Sequence, residues 1–120
     1  MRAHKSEFVH GVLEFAKLNR YHVQTLAYFI DKLRKTPDGD GTLLDHSLTL
    51  YGTNMGNSNQ HLHYDVPHVL IGGAGGRLKG DRHLGFKSKT VSASNLLLSI
   101  LGLYGVEADS FGDSTGRIEL

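Results

Sequence analysis

Apolar positions recur every three or four residues through the first third of the chain. At 100° per residue over 7–35, Phe8, Val12, Phe15, Val23, Leu26, Ile30 and Leu33 fall on one face. Glu14, Lys17, Gln24, Asp31, Lys32 and Lys35 fall on the other. The pattern predicts one long helix, about 40 Å at 1.5 Å per residue. A helix of that length in so small a domain is expected to span a larger sheet. Gly11 either kinks it or marks its start. Asn19 and His22 interrupt the apolar face one turn apart, within reach of each other or of a common partner. Buried polar groups need partners, so the pair is expected to be buried and hydrogen-bonded, a direct role in a site being the alternative. Thr36-Pro37-Asp38-Gly39-Asp40-Gly41 then ends the helix.

Beyond this point the apolar runs shorten. Residues 42–45 predict a helical turn, and 47–51 a strand. A polar loop rich in Gly, Asn and His follows and closes at Pro67. The next run, Val69, Leu70 and Ile71, is uniformly apolar, as expected of a strand covered on both faces. Glycines dominate 72–80, and 82–86 reads as a short strand or hairpin arm. Ser92 or Ser94 caps a helix that runs to Leu103 and is striped by Leu96, Leu97, Ile100, Leu101 and Leu103. Gly102 and Gly105 mark its end. The tail, 110–120, reads as an ordered loop. These elements predict a single α/β domain over 1–120, with a long N-terminal helix packed on a small sheet.

Composition narrows the function classes. The 120 residues carry a net charge of +1, which gives no case for nucleic-acid binding. There is no cysteine, which excludes disulfides and thiolate metal sites. No apolar run approaches the roughly 18 residues of a membrane span. The opening MRAHKSEF lacks the apolar core of a signal peptide.

The best chemical constellation is His61-Leu62-His63-Tyr64-Asp65. In an extended segment alternate residues point the same way, so both imidazoles and the carboxylate can converge on one ion. That donor set suits a divalent metal, zinc, iron or manganese rather than calcium. His61, His63 and Asp65 are the candidate ligands. The same groups can also act as acid, base and orienting carboxylate, with His63 and Asp65 the candidate catalytic pair. A hydrogen-bonded loop with Asp65 capping the turn before Pro67 is the plain alternative. His68, at a strand start, reads as structural. The H-x-H-x-D-H motif of metallo-β-lactamase-like hydrolases is matched only in part, because Val66 and Pro67 follow Asp65. Gly72-Gly73-Ala74-Gly75-Gly76 fits no phosphate-loop pattern, although Arg77, Lys79 and Arg82 lie nearby. Asp38-Gly39-Asp40-Gly41 lacks the remaining ligands of a calcium loop and reads as a turn. Ser114 lacks the flanking pattern of a nucleophile elbow.

The order of several strings is more specific than any one of them. NRYH, TPDGDGTLLDHS, YGTNMGNSNQH, VPHVLIGGAGGRLKGDRHL and SFGDSTGR resemble the C-terminal part of the HXXSHH-motif proteins, an uncharacterised bacterial family. The resemblance runs from about Asn19 to Arg117. In that register only His4 stands from the naming motif, with Lys5 in place of its last His. The resemblance implies a fragment of a longer, exported protein, periplasmic or extracellular. The layout is also similar to the closing segment of the alkaline phosphatase and sulfatase superfamily. There a strand ends in Ser-Asp-His-Gly, whose Asp and His bind metal. Here Thr53-Asn54-Met55-Gly56 stands in that place, and Asn54 and Met55 are poor replacements. The expectation is a segment of a metal-dependent hydrolase of phosphate or sulfate esters, inactive alone. It would need further protein or self-associate, with a small-molecule ester as its substrate. The alternative is a non-catalytic cell-envelope domain that keeps the fold without the metal site.

Overall fold

A computed structural model describes the backbone of residues 2–120 and the side chains of residues 10–120. Helix α1 spans Arg2–Lys35 and runs through Gly11 without a break. The expectations for the side chains of His4, Lys5 and Phe8 lie outside the described residues. Lys32, Arg34 and Lys35 sit in the last turn, where cations suit the negative end of the helix. Thr36 closes it, its hydroxyl donating to the Lys32 carbonyl at 2.7 Å.

The Pro-Asp-Gly-Asp-Gly string then folds as a hairpin. Strands β1 (Pro37–Asp38) and β2 (Gly41–Thr42) pair antiparallel around Gly39, whose φ of 57° suits glycine. Thr42 caps the one-turn helix α2 (Leu43–His46) in a capping box with Asp45. Strands β3 (Thr49–Gly52) and β4 (His68–Ile71) pair antiparallel, with Thr49 opposite Ile71 and Gly52 opposite His68. A 3-10 turn, Ala74–Gly76, packs back on α2. Helix α3 spans Ala93–Leu103, with Ser92 as its N-cap. Gly105, at a φ of 74°, follows its end, and the Val106 amide donates back to the Leu101 carbonyl at 3.0 Å.

The chain is therefore mixed α/β, one long helix with two small antiparallel sheets. Three expectations change. Residues 82–86 form an exposed coil, not a strand. Strand β4 is not covered on both faces: Val69 is 51% exposed, because the β3–β4 ribbon has only two strands and no layer over that position. Asn19 and His22 are exposed rather than buried. Every residue from His10 to Thr25 is exposed, because no described element lies over this half of α1. Only further along do Leu26, Ile30 and Leu33 become half-buried. There Leu26, Ala27 and Ile30 share a shallow hollow with Ile71 of β4.

The overhang sets the shape. The radius of gyration is 18.0 Å, against about 14 Å for a compact chain of this length. Among the described residues Ala74 and Leu98 are the only buried hydrophobic side chains. Val12, Leu13, Phe15, Leu18 and Val23 are each half or more exposed. An amphipathic helix ordinarily buries its apolar face against a core.

Candidate functional site

The candidate loop leaves the end of β3 and returns to the start of β4. The Thr53 hydroxyl accepts the Met55 amide at 3.2 Å, which tightens the exit. Asn57 then pairs with Leu62 as an isolated antiparallel bridge. The Asn57 carboxamide oxygen accepts the amides of Asn59 and Gln60 at 3.1 and 3.2 Å, an Asx-type turn. The Gly56 amide donates to the Leu62 carbonyl at 2.9 Å. A side chain at Gly56 would collide with the Tyr64 carbonyl, so glycine is needed where the two arms of the loop cross.

His63 sits on the returning arm with its Nδ1 3.3 Å from the Asn54 carbonyl oxygen. A carbonyl only accepts, so Nδ1 carries the proton and Nε2 is left as an open acceptor. The fold thus brings His63 to the Thr53–Gly56 segment. Tyr64 faces the other way along the chain, with the Lys89 ammonium 4.0 Å from its ring centroid. That contact ties the loop to the segment after the glycine cluster.

His61, His63 and Asp65 are all exposed. The extended geometry expected of them is absent, since His61 and Asp65 have φ of 52° and 56° and lie in turns. Alternation of side chains therefore does not apply across the segment. Among the described residues no group of three or more His, Cys, Asp or Glu side chains is gathered to hold a metal ion. Zinc takes three or four protein donors. His63 offers one open nitrogen, and the arrangement of His61 and Asp65 does not fit a completed metal centre. His68 is half-buried in β4 with its ring packed over Gly52, where any side chain would meet it.

The glycine cluster is a packing device. Gly73 donates to the Leu44 carbonyl and Ala74 to the Ser47 carbonyl, both at 3.0 Å. Gly76 and Leu78 both donate to the Gly73 carbonyl. These amides are spent inside the fold and do not cradle an anion. Gly72, at a φ of 125°, lies against the Ser47 carbonyl, leaving no room for a side chain.

Two arrangements escaped sequence reasoning. The first is His46, whose Nδ1 lies 2.9 Å from Asp38 and whose Nε2 lies 3.2 Å from Asp40. The hydrogen bond to Asp38, with the charges of Asp38, Asp40 and Asp45, raises its pKa above the usual imidazole value despite partial desolvation. The signal was the D-G-D turn followed by a histidine one short helix later. The second is the tail. Asp113 accepts hydrogen bonds from the hydroxyls of Ser94 and Ser92, which lower its pKa. Buried Asn95 accepts the Thr115 amide at 2.9 Å, and Ser99 accepts the Ile118 amide at 2.6 Å. Ser114 accepts the Phe111 amide at 2.8 Å, a turn-closing role.

Compared with known proteins, the chain matches no protein-family model, no curated protein and no solved structure. No helix among the described residues is long and apolar enough to cross a membrane.

Proposed function

We propose that this chain is a non-catalytic α/β segment of a larger phosphatase- or sulfatase-like body, exported as in the family it resembles, which folds and functions fully only against further protein. The observation that carries this reading is the open apolar flank of α1, where Val12, Phe15 and Val23 stand exposed on the face that pattern assigns to a core. The occupant of that flank is further sheet, since the β3–β4 ribbon also has two unpaired edges.

The second reading is a metal-dependent hydrolase of phosphate or sulfate esters once the body is complete, with His61, His63 and Asp65 contributing to its site. The approach of His63 to the Thr53–Gly56 segment favours it, because the resembled superfamily keeps metal ligands at the matching strand end. Against it stand Asn54 and Met55 in the ligand positions and the scattered His61 and Asp65. In this second reading the open Nε2 of His63 is the nitrogen best placed to accept a proton or hold a ligand, with His61 and Asp65 brought to it by the completed body.

The test is an assay of the purified chain on p-nitrophenyl phosphate and p-nitrophenyl sulfate, with and without added zinc or manganese. No turnover above buffer is expected, and His63→Ala should behave as the parent does. Turnover that His63→Ala abolishes would overturn the non-catalytic reading and give the site to the loop.

A further inference from the structure

Charge along the chain is uneven. Arg77, Lys79, Arg82, Lys87 and Lys89 are five of the thirteen basic residues, and Asp81 is one of the twelve acidic ones. The segment 77–89 thus carries a local net charge of +4 against +1 for the whole chain. All five cations are exposed. Among the described residues none of them forms an ion pair. Lys89 rests on the Tyr64 ring.

Two large apolar side chains are interleaved with these cations. Leu84 is 43% and Phe86 53% exposed. With Val91, Asn95 and Ile118 they border an open hollow of about 450 Å³ that Arg82 and Arg117 also line, the Arg117 guanidinium donating to the Leu98 and Ala108 carbonyls. Glu119 is the one carboxylate on that rim. Exposed apolar side chains beside cations that have no described ion-pair partner complement a ligand that is apolar in its body and anionic at its head.

We infer that residues 77–89 are a peripheral docking surface for an anionic phospholipid membrane. Clusters of four or more Lys and Arg beside exposed apolar side chains gain both electrostatic attraction and shallow burial at such a surface. Nucleic acid is the poorer fit. Phe86 is the only Phe, Tyr or Trp in the segment, with His83 the one other ring, so there is no run of stacking platforms. The surface does not depend on whether loop 53–65 is catalytic.

The chain has no tryptophan, so F86W makes a single fluorescent reporter. The full chain carrying F86W is titrated with vesicles of phosphatidylglycerol and phosphatidylcholine, with pure phosphatidylcholine vesicles, and with a single-stranded oligonucleotide. The expected result is a blue shift and co-sedimentation with the anionic vesicles alone, reversed by high salt. Adding Lys79→Ala and Arg82→Ala should cut partitioning roughly twenty-five-fold, at about fivefold per cation. The unmodified chain, followed by sedimentation, guards against an effect of F86W itself. Equal binding to neutral vesicles would assign the effect to apolar α1 and overturn the proposal. A response to the oligonucleotide but not to vesicles would overturn it in favour of nucleic acid.

Discussion

The Nδ1 of His63 meets the carbonyl oxygen of Asn54 at 3.3 Å, joining the returning arm of the histidine loop to the segment that leaves β3. It fixes which imidazole nitrogen faces outward. In nitrogen-15 spectra the neutral ring of His63 should be in the Nδ1-protonated tautomer. Because the contact is exposed, His63→Ala should cost no more than about 1 kcal/mol of stability. An Nε2-protonated ring would show that the contact with the Asn54 carbonyl is not made in solution.

The clasp of His46 between Asp38 and Asp40 gives stability a definite pH dependence. A folded pKa above the unfolded value of about 6.5 means that the stabilisation is fully present below pH about 6.5. It is lost as pH rises through the folded value. The melting temperature should therefore fall on going from pH 6 to pH 9, and Asp38→Asn should flatten that fall. A histidine titration by proton NMR should place His46 above the free imidazole value. An unshifted His46, or a parent and variant with the same pH profile, would dismiss the clasp.

The α3–tail unit is the best-packed part of the chain. Leu98 is 1% exposed, and Asn95, at 6%, holds Thr115 through both ends of its carboxamide. Leu98→Ala should cost about 2–5 kcal/mol. Asn95→Leu strands the Thr115 amide and should cost about 1–3 kcal/mol. Leu26→Ala, at a half-buried position on α1, should cost clearly less than Leu98→Ala. Urea denaturation of the three variants gives the ranking, and a Leu26 effect equal to that of Leu98 would mean that α1 is covered in solution.

Much of the fold was legible where local chemistry decides it. The 3.6-residue period gave α1 to its last residue, because Thr36-Pro37-Asp38-Gly39 stops any helix. The start of α3 was legible to within two residues, Ser92 or Ser94, and Ser92 is the cap. What failed needed tertiary information. The burial of Asn19 was inferred from a face whose cover does not lie among the described elements. The apolar run 69–71 was given two covered faces when it has one open. His61, His63 and Asp65 were aligned by strand alternation, but Asn57, as an acceptor for two amides, turns the chain instead. The tail was legible as ordered, yet its partners, Asn95 and Ser99, lie some twenty residues away in sequence.

In the proposed function the apolar face of α1 is covered by further protein. Analytical ultracentrifugation of the chain over a wide concentration range tests it most directly, beside a variant carrying Val12→Gln, Phe15→Gln and Val23→Gln. With its natural cover absent, the parent chain is predicted to self-associate with rising concentration, and the variant to remain monomeric with its α3–tail unit folded. A parent chain that sediments as a compact monomer at every concentration, and unfolds in a single cooperative transition, would contradict it.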